Sequence, residues 1–85
     1  MTIFAIYDLK AKKFVSYYVV DNTADFIRSI VSLVNSGKEE NNLVKYSDEF
    51  ELYKIGVIDS IDGSISALHE LVGLLSDFRG AVAHV

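Results

Sequence analysis

The chain has no cysteine, no proline and no tryptophan among its 85 residues. Without cysteine it can form neither a disulfide nor a thiolate, which is typical of a protein that folds in the cytosol. No apolar run approaches the roughly 18 residues of a membrane-spanning helix, so we predict no membrane segment. The start MTIFAIYDLK lacks a basic region and a small-residue cleavage site, so we expect no signal peptide.

The usual signatures of enzymes are also missing. The sequence has no G-x-G-x-x-G motif, no Walker loop and no cysteine nucleophile. His69 and His84 are far apart in the chain, and we interpret His69 as a helix-surface residue beside Glu70. Asp59 and Asp62 flank a turn, but they do not complete a calcium-loop pattern. We therefore expect no enzymatic activity, no metal site and no cofactor.

Charge is distributed unevenly along the chain. The net charge is −4, but residues 1–38 hold five basic and three acidic groups, whereas residues 39–85 hold three basic and nine acidic groups. Any anion-binding surface is therefore expected in the first half. Apolar residues make up 51% of the chain, which is generous for a domain with so much surface relative to its interior. We expect part of this apolar surface to be buried against a partner.

The first half of the chain predicts a β-hairpin followed by a helix. Residues 2–9 and 13–20 are rich in β-branched and aromatic side chains and form two predicted strands. Strict alternation would place Phe14 on the face opposite Tyr17 in the second strand. A helix is predicted from Thr23 to Ser36, capped by Asn22 or Thr23. It would pack on the sheet through an apolar stripe of Phe26, Ile27, Ile30 and Val34.

The second half predicts a loop, a strand and a second helix. Residues 38–49 are polar and read as a loop, and Phe50–Ile58 reads as a third strand with Gly56 at a bulge or a close approach. A turn is expected at Asp62-Gly63. Residues 66–78 carry apolar side chains at helical spacing and predict an amphipathic helix, whose stripe includes Leu68, Leu71, Val72 and Leu75.

These elements predict a single α+β domain over residues 1–85. Their order is β-β-α-β-α: a three-stranded, mainly antiparallel sheet with one helix packed on a face and an amphipathic C-terminal helix. Residues 1–63 would form the β-β-α-β core, residues 64–80 the C-terminal helix and residues 81–85 a frayed tail. The two apolar sheet faces and two amphipathic helices predict a homodimer. Its seam is expected at a strand edge or at the stripe of Leu68, Leu71, Val72 and Leu75.

Tyrosines and lysines are the candidates for a binding site. Tyr7, Tyr17 and Tyr53 occupy odd positions on three predicted strands, so one sheet face carries all three if the strands pair in that register. Proteins bind single-stranded nucleic acid by stacking bases on such rings while basic groups follow the backbone. The phosphate contacts would come from the hairpin lysines and the first helix, namely Lys10, Lys12, Lys13 and Arg28. Alternatively, the tyrosines line a core or a dimer seam and the lysines solvate a turn.

The acidic segment Glu39–Glu51 bears on this hypothesis. The local positive potential of the lysines should dominate if that segment projects away from the hairpin, because charge effects fade within about 8 Å at physiological salt.

Three stretches together resemble a known family. They are AIYDLKAKKF, the helix segment Phe26-Ile27-Arg28, and FELYKIGVIDSIDG. In this order they resemble the small non-structural protein of gokushoviruses, which are microviruses with circular single-stranded DNA genomes. The matching positions are Ile6, Tyr7, Asp8, Lys10, Ala11, Arg28, Leu52, Tyr53, Ile55, Gly56, Asp59 and Gly63. The sequence departs from the family after Gly63, where a helical pattern replaces a short extended tail.

The resemblance implies a phage DNA-binding protein that acts in the host cytoplasm. Such a protein would bind single-stranded DNA and assist the change from duplex replication to single-stranded genome synthesis and packaging. The alternative is a homo-oligomeric adaptor that binds a phage replication or capsid protein without touching DNA. The acidic second half and its predicted amphipathic helix favour this alternative, and oligonucleotide binding at two salt concentrations separates the two functions.

Overall fold

A four-stranded antiparallel sheet with one long helix on a single face forms the body of the computed structural model, which describes residues 1–80. The predicted tail, residues 81–85, lies outside this range. The strands lie in the order β2-β1-β3-β4. Their bounds are Thr2–Asp8 for β1, Lys13–Val20 for β2, Phe50–Ile58 for β3 and Ile65–Leu74 for β4. No helix within the described residues is long and apolar enough to cross a membrane.

The core lies between the sheet and helix α1, which spans Thr23–Val34. The helix begins where predicted, because the Asn22 side chain accepts a hydrogen bond of 3.0 Å from the Asp25 amide. Its predicted apolar stripe is confirmed: Ile30 and Val34 are buried, and Phe26 and Ile27 pack against the same cluster. The sheet contributes Phe4, Ile6, Phe50 and Leu52. Burial of this stripe determines which side of the helix faces the sheet.

The predicted second helix is wrong, and with it the three-stranded β-β-α-β-α arrangement. Residues 65–74 form a fourth strand that pairs antiparallel with β3, from Ile58 opposite Ile65 to Glu51 opposite Leu74. Only the last residues of the predicted helix are helical, as a short 3-10 helix at Leu75–Phe78.

The turn before β4 explains why residues 65–74 form a strand although their apolar residues have helical spacing. The Gly63 amide donates to the Asp59 carbonyl at 2.7 Å, and Gly63 has a φ of 76° that favours glycine. This predicted turn reverses the chain, so residues 65–74 meet the otherwise unpaired edge of β3. Pairing satisfies the backbone groups of that edge, whereas a helix would have Gly73 in its interior at a cost of about 1 kcal/mol relative to alanine. Long-range pairing therefore overrode the local pattern.

The segment predicted as a loop, residues 38–49, contains two short helical turns. Helix α2 spans Asn42–Lys45, and a 3-10 helix spans Ser47–Glu49. Arg79 anchors this segment, since its guanidinium donates to Ser47 Oγ at 2.9 Å and to the Val44 carbonyl at 2.8 Å. The residue that follows the Leu75–Phe78 turn is thus tied to the connection between α1 and β3.

Gly56 marks a bulge and a close approach, as predicted. The register of β3 shifts beside Gly56 against both β1 and β4. A Cβ at this position would lie 3.1 Å from Ile3 Cδ1 and 3.3 Å from the Ser66 carbonyl oxygen. Only glycine fits between β1 and β4 at this position without displacing Ile3 or the Ser66 backbone.

Candidate nucleic-acid interface

The sheet face opposite α1 carries five aromatic rings in mutual contact. From β2 to β4, the ring centroids of Tyr17 and Phe14 are 6.4 Å apart, those of Phe14 and Tyr7 are 5.0 Å apart, and those of Tyr7 and Tyr53 are 6.3 Å apart. His69 on β4 extends the series, with its ring 4.9 Å from that of Tyr53. We call this set of Tyr17, Phe14, Tyr7, Tyr53 and His69 the aromatic row.

Strand register explains why the three predicted tyrosines meet. Ala5 lies opposite Tyr17 on one side and opposite Tyr53 on the other, so all three share a face. Tyr7 follows Ala5 by two residues and therefore faces the same way. The structure thus brings Tyr7, Tyr17 and Tyr53 together on one surface.

A β-bulge adds Phe14 to the row and corrects the predicted alternation of β2. Ile6 lies opposite Ser16, but Tyr7 lies opposite Phe14, so Val15 is the extra residue of the bulge. Phe14 therefore lies on the same face as Tyr17 and contacts the Tyr53 ring at 5.6 Å. Nothing in the sequence of β2 marks this bulge, and for that reason sequence reasoning missed Phe14.

His69 was missed because its segment was predicted to be helical. On β4 it has the parity of Leu71, which pairs with Tyr53, and its ring is tilted by 32° against Tyr53. The signal that could have found it is the glycine turn at residue 63, which indicates a hairpin partner for β3.

Within the aromatic row, the central rings pack differently from the outer ones. Tyr7, Phe14 and Tyr53 meet edge to face, with interplanar angles of 71°, 73° and 79°. This arrangement fixes the three rings against one another. Tyr17 at one end is 63% exposed, and His69 at the other end is also exposed. The two ends therefore offer the most accessible ring surface for stacking.

The hairpin lysines lie on a tight turn at one end of the sheet. The Asp8 side chain accepts hydrogen bonds from the Lys10 and Ala11 amides at 2.9 and 3.0 Å. The Lys12 amide donates to the Asp8 carbonyl at 2.7 Å, and Lys12 adopts a positive φ of 57°. Backbone geometry thus presents Lys12 and Lys13 immediately before Phe14 of the aromatic row.

The condition that the acidic segment projects away from this turn is not met at Glu49. Lys10 Nζ lies 2.9 Å from Glu49 Oε1, and the Leu9 amide donates to the Glu49 carbonyl at 3.0 Å. The hydrogen bond from Lys10 to Glu49 raises the pKa of Lys10 above its ordinary value. Lys10 is therefore compensated by a carboxylate, whereas within residues 1–80 no ion pair involves Lys12 or Lys13.

One carboxylate adjoins the aromatic row itself. Glu51 lies opposite Tyr7 in the sheet, and the Tyr53 hydroxyl donates to Glu51 Oε1 at 3.4 Å. Burial of the phenol raises the pKa of Tyr53, and the charge of Glu51 raises it further. This negative charge would oppose a phosphate placed at the centre of the row.

Arg28 is separated from the other predicted site residues. It lies on α1, in the layer opposite the aromatic row, and forms an ion pair with Asp25 one turn earlier. The structure therefore does not assemble Arg28 with the tyrosines and lysines.

Only part of the predicted dimer seam is exposed. Leu68, Leu71 and Val72 are exposed on β4, and Leu71 retains 51% of its accessible surface. Leu75 is completely buried in the core of its own chain, so it is not available to a second copy. Within residues 1–80 there is no cluster of three or more side chains suited to a metal ion.

Comparison with known proteins gives one family. A family model described as Phage ORF5 protein matches residues 1–78, which includes every strand and helix described above. Among curated proteins and among solved structures, no significant match was found.

Proposed function

The chain belongs to the Phage ORF5 protein family, and we propose that it binds single-stranded DNA through the aromatic row. In this proposal it acts in the host cytoplasm, where a microvirus-type phage changes from duplex replication to single-stranded genome synthesis and packaging. The sequence resemblance to the gokushovirus non-structural protein supports the choice of ligand.

The observation that carries the proposal is a continuous run of rings across all four strands on the sheet face not covered by α1. Neighbouring strands lie about 4.8 Å apart, so the row crosses roughly 14 Å of sheet. Single strands bind such surfaces because each base presents a ring face, and stacking contributes about 1–3 kcal/mol per base. The accessible ends of the row, Tyr17 and His69, are the strongest stacking candidates.

Electrostatic attraction contributes less than the aromatic row in this proposal. Lys12 and Lys13 are the basic groups beside the row that have no ion pair within residues 1–80. Two phosphate contacts predict a log–log salt slope of about −1.4 for a single strand. The net charge of −4 disfavours approach to DNA at long range. Binding is therefore expected to be weak per chain, moderately sensitive to salt and dependent on stacking.

The test is titration of a labelled oligothymidine into the full chain at about 50 and 200 mM salt. Because the chain has no tryptophan, its tyrosine fluorescence reports stacking directly, and we expect quenching on binding. Tyr17→Leu should weaken binding about 5- to 150-fold, which corresponds to one lost stacking contact. The matched control is Tyr46→Leu, because Tyr46 is an exposed tyrosine outside the aromatic row.

The double variant Lys12→Gln/Lys13→Gln should bring the salt slope close to zero while the chain remains folded. The absence of binding by the unmodified chain at low salt, or equal losses for the Tyr17 and Tyr46 variants, would overturn the proposal. The adaptor function, with a phage replication or capsid protein as partner, would then account better for the exposed apolar surface of β4.

A further inference from the structure

The outer edge of β4 is long, apolar and unpaired within residues 1–80. Within residues 1–80 no strand pairs with this edge, and eight of the ten β4 residues, Ile65 to Val72, are exposed. The strand contains no proline and no lysine, which are common means of protecting an edge. Such an edge presents unpaired N–H and C=O groups together with apolar side chains, and it favours pairing with another strand.

The other edge of the sheet differs. On β2 exposed and half-buried residues alternate, because Tyr18 and Val20 pack against the core on the helix side. On β4 the residues before Gly73 are exposed on both faces. Large apolar residues are exposed on both faces of β4, so a strand added beside it covers apolar surface on both sides of the sheet; they are Ile65, Leu68, Leu71 and Val72.

The sequence of β4 is chemically self-complementary about Leu68. In a two-fold antiparallel pair centred on this residue, a residue a given number of positions before Leu68 faces the residue the same number of positions after it in the other copy. Facing residues are therefore an even number of positions apart, and their side chains lie on the same face of the sheet. Leucine then meets leucine or isoleucine, the serine hydroxyl meets a carboxylate that can accept its hydrogen bond, and the alanine methyl group meets the histidine ring. The pairs are Leu68 with itself, Ala67 with His69, Ser66 with Glu70, and Ile65 with Leu71.

Neighbouring registers lack this match. A pair centred on Glu70 would oppose two like charges, and one centred on His69 would place Glu70 opposite Leu68. The register centred on Leu68 avoids both mismatches.

We propose that a second copy of this chain pairs with the outer edge of β4 in the register centred on Leu68. The two sheets then join into one continuous sheet of eight strands, and the two aromatic rows lie on the same face. His69, at the end of one row, faces Ala67 of the other copy. A single strand of DNA can in this way cross from one row to the next, but pairing itself does not depend on DNA.

Cysteine crosslinking tests the register, because the chain has no cysteine of its own. Facing Cβ atoms in an antiparallel pair lie about 4.5–5.5 Å apart, which is close to disulfide geometry. Leu68→Cys should therefore form a covalent dimer quickly under mild oxidation without DNA. Leu71→Cys is the matched control on the same strand, and it should crosslink slowly with itself but efficiently with Ile65→Cys. Faster self-crosslinking of Leu71→Cys than of Leu68→Cys would overturn the register.

Sedimentation equilibrium without DNA tests the pairing itself. The unmodified chain at low-micromolar concentration should sediment at twice its monomer mass of 9.5 kDa. Leu68→Glu should sediment as a monomer with an unchanged circular dichroism spectrum, whereas Val19→Glu on the outer edge of β2 should remain dimeric. A monomeric unmodified chain, or a Leu68→Glu variant that stays dimeric, would refute the proposal. Neither result depends on whether the protein binds oligonucleotides.

Discussion

The ammonium group of Lys10 lies 2.9 Å from the carboxylate of Glu49, and this ion pair joins the β1–β2 turn to the segment that precedes β3. The pair divides the three hairpin lysines into one that is compensated and two, Lys12 and Lys13, that have no ion pair within the described residues. A carboxylate from the acidic second half of the chain thus neutralises one of the three lysines of the basic turn.

Releasing Lys10 should strengthen DNA binding. Glu49→Gln removes the carboxylate and should add one phosphate contact, which makes the log–log salt slope steeper by about 0.7. Lys10→Gln should instead weaken binding, because it leaves the Glu49 carboxylate uncompensated beside the turn. Fluorescence anisotropy at several salt concentrations measures both effects. Glu40→Gln has the same change in net charge on an exposed residue of the same segment, so an equal steepening there would indicate a general charge effect instead.

Truncation of the helix stripe should destabilise the fold strongly. Ile30 is 4% exposed and belongs to the core between α1 and the sheet. Ile30→Ala should lower the free energy of unfolding by about 2–5 kcal/mol, from lost burial and the remaining cavity. Urea denaturation measures the loss. Ser32→Ala on the exposed side of the helix should change stability by less than about 0.5 kcal/mol, and a similarly small loss for Ile30→Ala would show that the core was misplaced.

A methyl group at Gly56 should also be destabilising. Its Cβ would lie 3.1 Å from Ile3 Cδ1, so Gly56→Ala should cost about 1–3 kcal/mol by crowding. Ile3→Ala removes the atom that is crowded, and the double variant should therefore lose less than the sum of the two single variants. Strict additivity in urea denaturation would mean that the Ser66 carbonyl, not Ile3, limits the space.

The local elements of the first half were predictable from sequence because short-range signals determine them. Asn22 caps α1, and the spacing of Ile30 and Val34 selects its buried face. The hairpin of β1 and β2 and the third strand follow from β-branched and aromatic runs. The odd positions of Tyr7, Tyr17 and Tyr53 allow a shared face, and the strands pair in the register that this face requires.

The remainder depended on contacts between distant residues. Residues 65–74 have helical spacing, but their partner is the edge of β3, which no local pattern reveals. The position of Phe14 depends on a bulge at Val15, and Lys10 meets Glu49 only after the chain has folded. The candidate site therefore contains two rings, Phe14 and His69, whose positions can be predicted only when the strand register is known.

Glu51 offers a test of how charge acts on the aromatic row. The pKa of Tyr53 lies above its ordinary value of 10.0, first because the phenol is desolvated and second because the Glu51 carboxylate disfavours the phenolate. Glu51→Gln removes the second cause, so the pKa of Tyr53 should fall towards 10.0 but remain above it. An absorbance titration of the phenolate measures this shift. Tyr53→Phe assigns the signal among the five tyrosines.

The sign of the accompanying change in stability follows from linkage. A pKa that folding raises contributes stability that is fully present below the unfolded pKa of 10.0 and is lost as the pH rises through the folded pKa. Glu51→Gln should therefore reduce the alkaline loss of stability that is due to Tyr53. The same substitution should strengthen oligonucleotide binding at neutral pH, because it removes a negative charge beside the rings. If the Tyr53 pKa falls while DNA affinity stays the same, phosphates do not approach the centre of the aromatic row, and the stacking surface is confined to its ends at Tyr17 and His69.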